Sequence, residues 1–520
     1  MAVHIIVNRA DDVFDLDDGG CTLRVAIFSA NYNSHNLSIE DCAIGEDQNA
    51  LEDLDTWIDQ VIIDVDEPIQ LTNGDIWVTD SVRIRPADDA GPATILADEG
   101  HRHFKIFDHN STDQISNEFY IVERLILKGG EQFDDGGNEE DDFGGSILIG
   151  SAQSLRVSET VFENNHARYG GAIAVKLRDT GLKLTELYLK DSVFTNNSNI
   201  KEGVAVGFGG AVYLGKNRTV GDARLENNVF KGNRSGLGGA IYLIPTGYGP
   251  WLFVNNQFVD NHAIFNPDFC VPNSITFCRA GAGGAIYVRN ASTSDSVTIT
   301  VRSNVFTHNT AETEGGAISA QSRTDGILRI EQSTFAFNAA DKGDAIGMGA
   351  SDWEAHASTF IHNSAMTSGS QIYMEAIHSN RSSSLILRNN IIQNGMGANN
   401  CDWTEEAGTV LIDGSLGYSI DSDGTCVTDG VDNNLVADAK LSGIQTDDHG
   451  RIYFEPTADS PAIDLYPDDD CVMPNNDNPF LDQLGNPRKV DGVGDGVERC
   501  DVGAIEVQYV TDLIYSDQFG

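Results

Sequence analysis

Phe230-Lys-Gly-Asn233-Arg-Ser-Gly-Leu-Gly238-Gly-Ala-Ile241-Tyr242-Leu243 is the stretch on which the fold of this chain turns. It joins a Phe-x-x-Asn half to a Gly-Gly-Ala-Ile half, and both halves recur. The first stands at Phe162/Asn165, Phe194/Asn197, Phe230/Asn233, Phe258/Asn261, Phe306/Asn309, Phe335/Asn338 and Phe360/Asn363. The second opens at Gly170, Gly209, Gly238, Gly283 and Gly315, then decays to Gly343-Asp-Ala-Ile and Gly369-Ser-Gln-Ile. Self-similarity at a period of roughly 25–35 residues marks stacked repeats, none of which buries its apolar face alone.

The physical reading is an all-β chain: a right-handed, single-stranded parallel β-helix, a solenoid with N-terminal and C-terminal caps. Equivalent residues of successive coils then stack about 4.8 Å apart. The Phe residues form an internal column, each burial contributing about 2–3 kcal/mol. The Asn at each turn is expected to accept αL geometry and to pass hydrogen bonds up the stack. The Gly pair permits a sharp bend and close backbone approach.

Strand alternation assigns Ile173/Val175, Val212/Leu214, Ile241/Leu243 and Ile286/Val288 to the inside. The outward set is then Ala172/Ala174, Ala211/Tyr213, Ala240/Tyr242, Ala285/Tyr287, Ala317/Ser319 and Gln371/Tyr373. Tyr213, Tyr242 and Tyr287 fall in one outward column, with Tyr373 further along. Such a column either fills favourable cross-strand slots or presents an aromatic platform on which sugar rings lie. These four tyrosines are the candidate binding residues.

Composition agrees with the fold. The chain has 53 Gly and 13 Pro in 520 residues, a solenoid rich in turns. No apolar run approaches the ~18–20 residues needed to span a bilayer, so the chain reads as soluble. A net charge of −46 argues against nucleic acid as a partner, which demands a basic face. It fits a solvated acidic surface able to attract cations.

The eight cysteines fall as neighbours: Cys21 and Cys42, Cys270 and Cys278, Cys401 and Cys426, Cys471 and Cys500. None forms Cys-x-x-Cys, so loop-closing disulfides are favoured over zinc, and with them an oxidising compartment, secreted or on the cell surface. Met1-Ala2-Val3-His4 lacks the basic and apolar regions of an export signal, which reads as a mature form with an added Met.

The N-terminal cap is placed at 1–60, the β-helix at 61–400 and a disulfide-closed C-terminal cap at 401–520. Leu23, Ala26, Ile27 and Ala30 have helical spacing, so a short helix should shield the first coil. The stretch Ile5-Val-Asn to Asn31, with Cys21-Thr-Leu-Arg-Val-Ala26, resembles the N-terminal CSLREA segment of secreted bacterial β-helix proteins, with Val25 in place of Glu. Ser460-Pro-Ala-Ile-Asp464, Asp482-Gln-Leu-Gly-Asn-Pro-Arg488, Asp491-Gly-Val-Gly-Asp495 and Arg499-Cys-Asp-Val-Gly-Ala-Ile-Glu506 are similar to the choice-of-anchor Q domain. That resemblance implies a C-terminal cap on a secreted β-helix. The Phe-x-x-Asn and Gly-Gly-Ala-Ile phrases resemble the repeats of chlamydial polymorphic outer-membrane adhesins, and the likeness is carried over for the repeats alone.

Other chemistry is less well marked. Asp491, Asp495 and Asp501 offer hard oxygens around a Gly-rich turn, a candidate Ca2+ site or a structural turn. The acidic insertion Asp134 to Asp142 could also collect cations. His166, His262, His308 and His362 lie near the repeat Asn at differing offsets, as surface residues do. Gly207-Phe-Gly209-Gly210 opens a strand, not a helix, which rules out a dinucleotide loop. Polysaccharide lyases and hydrolases use this scaffold, but Lys176, Arg178 and Arg289 make no recurring catalytic pattern, and no carboxylate pair stands out among 79 acidic residues. The sequence therefore points to a secreted or surface β-helix binding a polysaccharide or cell-surface glycan, with adhesion as its role. A lyase or hydrolase on the same scaffold is the alternative, and a structural envelope or filament component a further one.

Overall fold

The computed structural model describes residues 4–508 except 16–18, 32–41, 43, 46–57, 108–118, 134–141, 151–153, 177–183, 216–219, 246–248, 268–279, 290–296, 322–326, 350, 364–368, 377–381, 394–398, 406–407, 415–416 and 468–480. Arg178, Cys270, Cys278, Cys471 and most of the 134–142 insertion lie outside the described residues. Three long sheets of 14, 13 and 11 strands run through residues 4–436. Each coil adds one strand to each sheet, and successive coils pair in parallel, so the fold is the parallel β-helix that the repeat predicts. Among the described residues no helix is long and apolar enough to cross a membrane.

The second sheet carries the Phe column. Phe162 pairs with Phe194, Phe194 with Phe230, and so on to Phe360. Ring centroids lie 4.6–4.9 Å apart, the strand spacing itself, and every ring is fully buried. The next turn carries the Asn ladder. Asn233 donates Nδ2 to the Phe194 carbonyl and to Asn261 Oδ1, and its own Oδ1 accepts from the Asn197 backbone N–H and Nδ2. The positive φ expected of these Asn residues belongs to the residue before each: Asn164, Asn196, Gly232, Asp260, His308, Phe337 and His362. The ladder Asn is freed for hydrogen bonding because its neighbour makes the bend. A second ladder stands two places before each Phe, through Thr160, Ser192, Asn228, Asn256, Asn304, Ser333 and Ser358.

The Gly pairs are required by space. Gly170 has φ +65°, and a Cβ on Gly171 would stand 2.2 Å from the Gly210 carbonyl oxygen. After the pair, strict alternation fails. The N–H groups of Ala172 and Ile173 both donate to the Ala211 carbonyl, so two consecutive residues face inward, as at a bulge. Ala172, Ala211, Ala240, Ala285 and Ala317 therefore belong to the interior, not to the outward set. Alternation resumes beyond them.

The ends differ from each other. Helix α1 (Leu23–Asn31) packs on the first coil, burying Leu23, Val25, Ala26, Ile27 and Ala30, while strand His4–Val7 already belongs to the first sheet. Val25 is fully buried, a position where a carboxylate would be costly. Arg24 ties the helix to Asp12 and to the Gly74 and Asp75 carbonyls. Coils continue past residue 400, with strands 401–405, 410–413, 420–421 and 435–436 in the three sheets. Described residues beyond 436 run back along the outer face of the second sheet, where Phe454 packs on Ala336 and Ile361 and Ala504 N–H bonds Thr359 Oγ1.

Candidate functional site

The outer face of the third sheet carries one register column. It runs Trp77, Lys105, Leu148, Ala174, Tyr213, Tyr242, Tyr287, Ser319, Gly347, Tyr373 and Asp402, one residue per coil. Tyr213, Tyr242 and Tyr287 stack with centroids 5.4 and 5.5 Å apart and planes within 11°. Ser319 and Gly347 separate Tyr373 from that stack; its hydroxyl contacts Lys342 Nζ and donates to Thr404.

The column is outward but not a bare platform. Tyr213, Tyr242, Tyr287 and Tyr373 are only 8%, 1%, 3% and 5% exposed. The alternation rule overlooks the residue immediately ahead of each Gly-Gly pair, and that residue supplies the cover. Phe143, Tyr169, Phe208 and Leu237 form a second column, joined by parallel bridges, which leans over the tyrosines. Phe143 stacks on Tyr169 at 4.5 Å, Tyr169 meets Tyr213 at 5.2 Å, and Phe208 stacks on Tyr242 at 4.9 Å. These covering residues are themselves half-buried, so the surface offered to solvent is theirs. An aromatic ahead of three Gly-Gly pairs was the sequence signal for them.

Cations accompany the rings. Lys105 Nζ lies 4.7 Å from the Trp77 ring, Lys176 Nζ 4.4 Å from Phe143, Arg168 5.8 Å from Tyr169 and Lys342 Nζ 4.8 Å from Tyr373. Trp77, at the N-terminal end of the column, is 55% exposed. Arg168 also pairs with Asp142 at 3.4 Å. Burial pushes the Tyr213 and Tyr242 hydroxyls above their ordinary range. Arg289, one of the basic residues that form no pattern in the sequence, hydrogen-bonds the Tyr242 hydroxyl.

The candidate metal residues are not brought together. Asp491 accepts from the Gly494, Asp495 and Gly496 N–H groups, and Asp495 from Val497 N–H and Arg499. Asp501 is buried elsewhere in the segment, accepting from the Asp464 and Val507 N–H groups. Among the described residues no group of three or more His, Cys, Asp or Glu could hold a metal ion. The histidines divide into two rows according to their offsets. His166 and His262 follow the ladder Asn and burial lowers both, whereas His308 and His362 sandwich the Phe337 ring at 5.1 and 5.6 Å.

The disulfides Cys21–Cys42 and Cys401–Cys426 are formed and Cys500 is also disulfide-bonded, which places the chain outside the cytoplasm, secreted or at a surface. The profile of the Chlamydia polymorphic membrane protein repeat matches residues 159–176 and 305–321, each running from the second sheet through the Gly-Gly bend into the third. A curated relative, "Probable autotransporter YfaL" of Escherichia coli (strain K12), is 34% identical over 178 residues. The match covers 32% of this chain and 12% of that protein's length. The chain is thus similar, over part of its length, to a chlamydial membrane-protein repeat and to a probable autotransporter.

Proposed function

We propose that this chain is a surface-displayed β-helix that adheres through the outer face of its third sheet, its ligand a polysaccharide or cell-surface glycan. The observation that carries the reading is the half-buried row Phe143, Tyr169 and Phe208, seated on a buried tyrosine stack. A rigid aromatic floor loses little side-chain entropy when a sugar ring settles on it, and its apolar faces match the C–H faces of pyranoses. The similarity to an autotransporter and to the chlamydial repeats supports surface display, as do the CSLREA-like and choice-of-anchor Q-like ends.

The test is a double substitution, Phe143→Ser with Phe208→Ser, read on a glycan array and in a cell-adhesion assay. Binding should fall at least tenfold while the far-UV circular dichroism of the β-helix is kept. Undiminished binding by the folded variant would remove this face as the site of adhesion.

A further inference from the structure

A guanidinium stands beside the tyrosine stack. Arg289 follows directly on the strand segment that pairs Tyr287 with Tyr242, is exposed, and hydrogen-bonds the Tyr242 hydroxyl one coil away. Lys176 occupies the same strand-end position three coils earlier, since Val175, Leu214, Leu243 and Val288 are in register. Three coils correspond to about 14 Å. The two positions between them are Gly215 and Ile244, so the cations are separated by uncharged surface. Beside that surface stand Phe208 and Leu237, and the row continues past Lys176 through Tyr169 and Phe143, with Lys176 against Phe143 and Arg168 against Tyr169.

Resting on the third-sheet reading, the geometry points to an acidic polysaccharide as the ligand class, one carboxylate held by Arg289 and another by Lys176, with the sugar rings between them over Phe208 and Leu237, the covering residues of the two intervening coils. A guanidinium holds a carboxylate through two parallel N–H bonds, and the Tyr242 hydroxyl fixes the orientation of the Arg289 fork without neutralising it. Lys176 supplies a point charge, its Nζ seated over the Phe143 ring.

The charge of the whole molecule sharpens the inference. With 33 basic residues against 79 acidic ones, the average surface repels a polyanion. A neutral glycan would need no cations beside the aromatics, yet Lys105, Arg168, Lys176, Arg289 and Lys342 all lie on this face. Repulsion elsewhere then confines an acidic polymer to the stripe, which is how a mismatch becomes specificity.

The experiment uses the full chain and immobilised polygalacturonate, alginate and hyaluronan, each beside its carboxyl-reduced counterpart, at about 0.15 M salt. Binding to at least one acidic polymer is expected, at least tenfold tighter than to its reduced form. Arg289→Gln and, separately, Lys176→Gln should each weaken the acidic polymer at least tenfold with an unchanged thermal melt, and Arg289→Lys should lie between. Equal affinity for acidic and reduced polymers, or no binding to any acidic one, overturns the inference. Retention of acidic binding by Phe143→Ser/Phe208→Ser, with loss in Arg289→Gln, would instead remove the aromatic row and leave the anion site standing.

Discussion

A Cβ placed on Gly215 would stand 2.0 Å from Cζ of Tyr213 and 2.1 Å from its hydroxyl oxygen. The Tyr213 ring therefore folds over the strand end, into the space that the missing side chain leaves open. Gly215→Val should displace the ring without breaking the coil, because the obstructing atoms are the far end of a side chain. Overpacking of this kind costs about 1–2 kcal/mol. The near-UV circular dichroism of the tyrosines should change, the melting temperature should fall modestly, and ligand binding at the third sheet should weaken. An unaltered tyrosine signal would mean that the ring does not depend on Gly215.

Asn233 is fully buried and joined to both neighbouring coils and to a backbone carbonyl. Asn233→Ala leaves the Asn197 backbone N–H and one of its two Nδ2 hydrogens without an acceptor in a dry interior, and takes one of the donors from the Phe194 carbonyl. Unsatisfied buried groups cost about 1–3 kcal/mol each, and relaxation recovers part of that, so a loss of about 3 kcal/mol is expected. Asn233→Asp should be no rescue, since a carboxylate accepts from Asn197 but cannot donate to Asn261. Chemical denaturation of the two variants beside the parent chain measures both.

The Phe and Gly-Gly phrases were legible because they answer to one-dimensional repetition: the same residue must fit the same slot in every coil. The tyrosine column was legible in register but not in exposure. Its cover comes from Phe143, Tyr169 and Phe208, which stand on the far side of the Gly-Gly bend and so escape any rule of alternation within a strand. The same bend explains Ala172 and Ala211, since a doubled hydrogen bond to one carbonyl breaks the two-residue period. The lateral path of the C-terminal segment depends on contacts such as Thr334 with Gln483, residues that no local spacing relates. Arg289 and Tyr242 come together only when coils stack, which is why the cations made no pattern in the sequence.

His103 is wholly buried, with Nε2 against the Ile95 carbonyl at 3.0 Å and Nδ1 against the Ser146 hydroxyl at 3.0 Å. The carbonyl can only accept, so Nε2 carries the proton and Nδ1 accepts from Ser146. Burial lowers the imidazole from 6.5 to about 4. Between those values the unfolded chain binds the proton and the folded chain does not, so stability rises with pH and is lost as pH falls from 6.5 toward 4. The loss approaches about 3 kcal/mol. His103→Gln should flatten that part of the stability–pH curve, measured by denaturation at pH 7 and pH 4.5. A variant curve parallel to the parent's would show that His103 does not contribute.

Phe454 links the returning C-terminal segment to the coils, packed on Ala336 and Ile361 and against the Phe337 and His362 rings at 6.2 and 6.0 Å. The same segment reaches from Gln257, which donates to the His449 carbonyl, to Asn389, whose carbonyl accepts from Gly503 N–H. It therefore bridges coils that otherwise touch only their nearest neighbours. Phe454→Ala removes a buried ring and should cost about 3–5 kcal/mol. That loss falls on the contact between segment and coils, so the segment should detach before the coils unfold. Limited proteolysis should cut within residues 440–467 or 481–507 while the repeats stay protected, and the single melt should divide in two. Retention of one cooperative transition, with no early cleavage, would show that the segment is held by its other contacts alone.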